Sequence, residues 1–373
     1  MRRIFCIVLF ALLSNPAGGA AEVEVDPLIA TIRGVGKNGE GNRAAAAAWK
    51  KLSLASVDQL RQILAGMKDA DPLAVNWLRA AAETIAERQV AQREPLPTGA
   101  LEAFLRDVTQ SPRARRLAYE LIARVDPGAE QRLIPTLADD PSVELRRDAV
   151  TLLIKSAEGI DAKVQPDAAR AAYERALAAA RDLDQIAACA AKLKELGGKL
   201  DLPQHFGFIM SWKLIGPFDN TNTQGFDVAY PPESNFDSNA SYAGKAGEVR
   251  WIDHSTTDEH GLVDLNKALG KHMGAIAYAY AEFHSPTART VDLRLGCANG
   301  NKIWLNGQLL TANHVYHTGM QIDQYIAAGA LRPGKNTILI KVAQNEQKED
   351  WAQNWHFQFR ICDSVGTAIA SRK

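Results

Sequence analysis

From Val291 to Val342 the chain alternates apolar and polar residues with a period of two. Val291, Leu293 and Leu295 share one parity and Asp292 and Arg294 the other, the mark of a half-buried strand. Ile303 and Leu305 repeat the alternation. Asn306-Gly307 then supplies a two-residue turn that needs positive φ twice, and Gln308-Leu309-Leu310 leads back. Pro333-Gly334 marks a second turn, after which Ile338, Ile340 and Val342 alternate again. Other strands are predicted over Phe206–Phe218, ended by Gly216-Pro217, over Gly247–Ile252 and over Ala275–Phe283. In the last of these Ile276, Tyr278 and Tyr280 fall on one face and alanines on the other. Trp355, Phe357, Phe359 and Ile361 share a parity in the final strand, which makes Trp355 a core residue. Asp227–Glu233 reads as extended surface chain because Pro231-Pro232 forbids helix and central strand, and Leu262–Leu265 reads as a short helical turn. Roughly seven or eight antiparallel strands result, enough for a sandwich.

Upstream the period changes to that of a helix. Asp140-Pro141-Ser142-Val143 opens one amphipathic stretch, with Asp140 as cap, Pro141 in the first helical position, and Val143, Ala149 and Leu152-Leu153 as the buried stripe. Ser111-Pro112 with Ala114, Leu117 and Leu121, and Asp71-Pro72 with Val75, Leu78 and Ala82, repeat the arrangement loosely. Trp49 and Trp77 stand among Ala and Leu at helical spacing and are expected in the core. Ala168–Leu196 reads as a helical hairpin. The run Asp140-Pro141-x-Val143-x-x-Arg146-x-x-Ala149 resembles the HEAT-repeat signature, which implies a short α-solenoid. An irregular helical bundle would show the same stripes.

Composition separates the two halves. From Leu202 onward lie 19 of the 26 aromatic residues and all eight histidines, whereas the preceding part is rich in Ala, Leu, Arg and Glu. Gly197-Gly198 and Leu202-Pro203 mark the boundary. Met1-Arg2-Arg3, the apolar run Ile4–Leu13 and Gly18-Gly19-Ala20-Ala21 form the pattern of a cleavable signal peptide. The expected organisation is a signal peptide over 1–21, a helical domain over 22–200 and a β-sandwich domain over 201–373. Export to the periplasm or the exterior follows, with no membrane span after cleavage. Lys+Arg and Asp+Glu balance at 43 each, so no net charge draws the chain to nucleic acid. Cys297 and Cys362 lie on predicted strands and are either a pair across the sandwich or two buried hydrophobes.

The sequence strand, polar turn, Lys302-Ile303-Trp304-Leu305-Asn306-Gly307, loop, Leu331-x-Pro333-Gly334-x-Asn336-x-Ile338-x-Ile340-Lys341-Val342 resembles the galactose-binding-like jelly roll. That fold includes the sugar-binding domain of family 2 glycoside hydrolases and many carbohydrate-binding modules. The fold class expected is therefore multidomain α and β: an all-α HEAT-like solenoid followed by an antiparallel β-sandwich of the jelly-roll, galactose-binding-like kind.

Chemistry narrows the functions. Neither a Gly-x-Ser-x-Gly elbow, a Walker loop nor a zinc spacing is present. His314 and His317 would chelate only from a loop. Glu346, Glu349 and Asp350 form an acidic loop without a matched second carboxylate, which leaves a glycoside hydrolase or its accessory subunit as the lowest-ranked reading. No cofactor is expected, a structural calcium in the Asp219–Asp227 loop being the one that oxygen ligands leave open. Binding remains: carbohydrate polymer or cell-surface glycan on the sandwich, through aromatic stacking and amide contacts, or a protein partner on the helical domain. The candidate ligand-binding residues are Trp304, which points away from the Ile303/Leu305 face, Tyr316 and His317 in the loop after the hairpin, and Gln344, Asn345 and Trp351.

Overall fold

A computed structural model describes residues 23–372; the expected signal peptide lies outside the described residues. The chain is helical as far as Phe206 and antiparallel β from Ser211. Two compact units divide between Leu153 and Ile154, inside the helix Val143–Glu158 and ahead of the change from helix to strand.

In the first unit, helix Val25–Arg33 packs on Asn42–Leu52, Leu60–Ala65 on Pro72–Ala91, and Thr98–Arg106 on Pro112–Ala123. The Asp71 carboxylate accepts from the Leu73 N–H at 2.8 Å and Pro72 needs no partner, so the helix starts there. Leu78, Leu117, Leu121 and Leu145 are fully buried in one continuous core. Trp49 and Trp77 pack against that core half-buried, with ring centroids 6.4 Å apart, rather than inside it. Arg79 bridges Glu83 and Glu120, and Arg116 bridges Glu120 and Asp148, so an ionic ladder joins the helices Pro72–Ala91, Pro112–Ala123 and Val143–Glu158. Arg115 is buried and grips both oxygens of Asp140 at 2.8 and 2.5 Å, while Asp140 also accepts from the Ser142 N–H. The Ser142 hydroxyl accepts from the Leu145 N–H at 3.4 Å and caps the helix, which begins at Val143 instead of Pro141. Val143 is accordingly 49% exposed, and the buried stripe runs through Leu145, Ala149 and Val150.

In the second unit, the helices Pro166–Ala179 and Leu183–Glu195 pack as a pair and Leu202–Phe206 leads into the sheets. The strands are β1 (Ser211–Asp219), β2 (Ser241–Gly244), β3 (Gly247–Arg250), β4 (Ile252–Ser255), β5 (Val263–Asp264) and β6 (Ala275–Ser285). β7 (Arg289–Cys297), β8 (Gly300–Leu305), β9 (Gln308–Asn313), β10 (Tyr325–Leu331), β11 (Gly334–Gln344) and β12 (His356–Cys362) follow. A six-stranded antiparallel sheet has the order β4-β1-β6-β11-β8-β9, and a four-stranded one the order β10-β7-β12-β5. Their inner faces share one core, in which alanines 275, 277 and 279 of β6 leave room for Trp355, Phe357 and Phe359. Trp212 meets Phe357 and Phe359 edge to face, at 5.2 and 5.8 Å.

Three local readings of the sequence are revised, and one left open, the state of Cys297 and Cys362, is decided. β1 does not stop at Gly216-Pro217: the register against β6 shifts between Ile215 and Phe218, a bulge, and the strand resumes. A side chain at Gly216 would meet the Ile276 carbonyl at 2.8 Å, so only glycine fits there. Pro231-Pro232 starts a single helical turn, Pro231–Ser234, because the first helical positions require no N–H donor. Val263–Asp264 pairs with β12, and the helical turn begins only at Leu265. Cys297 and Cys362 are unpaired thiols at opposite ends of the β7–β12 pairing, in the same sheet, too far apart along the strands to be joined.

On the outer face of that sheet Asp323 accepts from Arg360 Nε at 2.7 Å and Nη2 at 2.5 Å, and from Arg294 Nη1 at 2.9 Å. Burial pushes this carboxyl up, but the bonds and charges of Arg360 and Arg294 outweigh it and hold it below its ordinary 3.8. A lowered carboxylate contributes stability that is present above pH 3.8 and lost as pH falls through the folded value. Asp323→Asn is expected to cost about 3 kcal/mol at pH 7 and to remove that part of the acid sensitivity. Urea melts at pH 7 and pH 3 check both; equal stability at pH 7 would remove the ion cluster from the account.

The Asn306-Gly307 turn has φ of 53° and 81°, as its sequence demands. The site of a Gly307 side chain is open, so the backbone alone resists substitution. Gly307→Val should lower stability by about 1–3 kcal/mol, read as an earlier thermal melt.

Candidate functional site

At one end of the sandwich three connections meet: residues 220–226 after β1, 314–324 between β9 and β10, and 345–355 between β11 and β12. Amide side chains lock them together. Asn220, fully buried, donates from Nδ2 to the Gln344 carbonyl at 2.9 Å and to the Tyr316 hydroxyl at 3.2 Å. Asn299 donates to Gln344 Oε1 at 2.6 Å and to the Asn354 carbonyl at 2.8 Å, and Gln344 Nε2 donates to the Ala352 carbonyl at 3.1 Å. A buried amide left unpaired is costly, so this network fixes the loops relative to the strand ends. Strain is held nearby: Asn222, Thr223 and His317 all have positive φ, and for Thr223 the β-branch makes that conformation unfavourable.

On this base stands a row of rings. Phe226 carries the His314 ring stacked at 4.1 Å and 6°, and Lys302 Nζ lies 4.5 Å from the Phe226 centroid. His314 is 5.5 Å from Tyr316, Tyr316 is 6.2 Å from His317, and His317 is 5.1 Å from Trp351, nearly perpendicular to it. His317 Nε2 is 3.0 Å from Asn345 Oδ1, which also accepts from the Gln347 N–H. Trp351 sits in the short turn Asp350–Ala352 with 60% of its surface exposed. Burial raises the Tyr316 phenol above its ordinary value.

The structure thus brings Tyr316, His317, Asn345 and Trp351 together at the surface. Gln344 is adjacent but wholly buried in the amide network. Trp304 is elsewhere. It points away from the inter-sheet core, onto the outer face of the six-stranded sheet, where with Tyr280, Leu339 and Asn306 it lines a separate cleft of about 250 Å³. His314 and His317 turn to different partners, and among the described residues no group of three or more His, Cys, Asp or Glu side chains could hold a metal ion. Asp219, the first carboxylate of the loop considered for calcium, accepts from Thr221 Oγ1 at 2.8 Å and pairs with Lys245 at 3.1 Å. A cation there would have to displace that ammonium.

Sequence reasoning missed Asn220, Phe226 and the role of Lys341. Lys341 is fully buried on the outer face of β11, where Nζ donates to the carbonyls of Phe226 and Val228 at 2.9 and 2.8 Å and to Glu233 at 2.8 Å. Glu233 also accepts from the Tyr278 hydroxyl. These bonds tie residues 226–233 across the sheet. The available signal was a single lysine inside the apolar run Ile338–Ala343, where a buried ammonium requires acceptors from another segment.

No family model matches the chain, and no curated protein does. Among solved structures, the chain is similar over 41% of its length to 16% of a Kluyveromyces marxianus beta-glucosidase in complex with glucose, at 10% identity and a TM-score of 0.25. An uncultured Clostridium sp. beta-glucuronidase matches over 42% of this chain and 28% of its own, at 17% identity and TM-score 0.25. An anti-sigma factor domain-containing protein from Clostridium clariflavum matches over 44% and 48%, at 8% identity and TM-score 0.26. The chain spans less than half the length of each of these proteins, and at such scores the likeness settles neither fold nor ligand.

Two tryptophans four positions apart have opposite surroundings. Trp355 is fully buried and its indole N–H donates to the Val342 carbonyl at 3.3 Å, whereas Trp351 is exposed. Trp355→Ala should cost about 3–5 kcal/mol, and Trp351→Ala should melt with the wild type. Thermal melts of both variants compare them directly; an early melt for Trp351→Ala would make that ring a structural plug.

Proposed function

We propose that this chain is an exported recognition protein that binds carbohydrate, without transforming it, at the end of its β-sandwich. The observation that carries the reading is Trp351: a large, exposed ring held against His317, which is itself pinned by Asn345. An indole offered to solvent on a locked support can stack on the apolar face of a sugar at little ordering cost, while amide groups beside it meet hydroxyls. The galactose-binding-like resemblance of β8 to β11 supports the same reading. The helical half, with proline-led helices at Pro72, Pro112 and Pro166 and the Arg115–Asp140 link from the helix Pro112–Ala123 to the start of Val143–Glu158, is read as a HEAT-like solenoid. It serves as a spacer or as the seat of a protein partner.

A glycan array on the chain, followed by titration of the best ligand, tests this. Trp351→Ala should weaken binding about tenfold, as expected for loss of one stacking contact, with the melting temperature unchanged. Wild-type affinity in that variant would remove the site, and an array without any bound glycan would favour the scaffold role of the helical half.

A further inference from the structure

Resting on the carbohydrate reading of this same site, we infer that it grips an internal stretch of a neutral, linear polysaccharide, and does not recognise a single terminal sugar. The support is the continuation of the aromatic row beyond Trp351. His317, Tyr316 and His314 follow at successive separations of 5.1, 6.2 and 5.5 Å. The rings meet one another edge to face or tilted, at 81°, 42° and 68°, and so make one continuous aromatic surface along which successive sugars of a chain would lie.

The row is fixed before any ligand arrives. His314 is exposed but lies flat on Phe226, whose ring also faces the Lys302 ammonium. Tyr316 is held by Asn220 and His317 by Asn345. Asn345 uses its Oδ1 in these bonds, so its Nδ2 hydrogens have no partner among the described residues and can donate to a sugar oxygen. Rings already ordered lose little freedom on binding, and several weak stacking contacts then add along a chain.

Charge sets the class of polymer. Glu346, Glu349 and Asp350 are exposed around Trp351 with Lys348 as the cation of that loop, and at the opposite end Asp227 offsets Lys302. The site is therefore net acidic, and like charge disfavours uronate-rich or sulfated chains.

The test is calorimetric titration of the full chain with linear gluco-, xylo- and manno-oligosaccharides of one to six units, with polygalacturonate and heparin as charged controls. For the series that binds, affinity should rise at least about tenfold from one unit to four and then level off. His314→Ala should abolish the gain from the third unit to the fourth and leave the binding of shorter oligosaccharides unchanged, while Trp351→Ala weakens every length. If His314→Ala melts early, His314→Phe against His314→Gln decides, since only the former should restore the gain. Equal affinity for one unit and six, equal loss at every length in the His314 variant, or tighter binding of polygalacturonate or heparin overturns the inference while Trp351-dependent binding still stands. If no saccharide in the set binds, or if Trp351→Ala binds like the wild type, the carbohydrate reading itself fails and takes the extension with it.

Discussion

A lysine ammonium placed in a dry interior must find an acceptor for each of its three hydrogens, and much of the β-sandwich is arranged around that requirement. Lys341 meets it with two backbone carbonyls and one carboxylate, all from residues 226–233. The rings of Tyr230 and Tyr278 stand 5.5 and 5.6 Å from the ammonium and shield it further. Removing the segment would strand a charge, so the segment cannot lift away cheaply. Because one of the carbonyls belongs to Phe226, the same bond sets the ring on which His314 rests. A demand made in the middle of β11 is thereby transmitted to the sandwich end. Desolvation lowers the Lys341 pKa, against the upward pull of Glu233, which shows how far the ammonium has been taken from water.

Strand identity was legible because it follows from parity. Alternation placed Ile303 and Leu305 inward and Trp304 outward, and put Trp355 in the core with Phe357 and Phe359; all lie as their parity requires. The Asn306-Gly307 turn was legible for a similar reason, since few residue pairs accept its backbone angles. What parity could not supply was the partner of each outward face. Tyr278 and Tyr280 were seen to share a face, yet nothing local said that residues 226–236 would cover it, with Phe236 stacked on Tyr280 at 3.5 Å.

The candidate site shows the same division. Tyr316, His317, Asn345 and Trp351 stand out in sequence as aromatic and amide residues in loops, and their meeting place is the structure's contribution. Asn220 and Phe226 looked like ordinary loop residues, because their significance lies in bonds to Gln344, Tyr316 and Lys341 far along the chain. In the helical half the error was one of phase: Val143 was placed in the buried stripe from the proline-led spacing, whereas the helix starts after the Ser142 cap and the stripe runs through Leu145, Ala149 and Val150.

The three thiols among the described residues have a further consequence. Cys189, Cys297 and Cys362 are all buried and unpaired, and burial raises their pKa values to about 11, 12 and 11. At neutral pH almost no thiolate forms, and the thiolate is the species that reacts. The fold of these residues therefore borrows nothing from the redox potential around it. Among the described residues no disulfide has to form, and buried protonated thiols keep their covalent state whether the surroundings are reducing or oxidising.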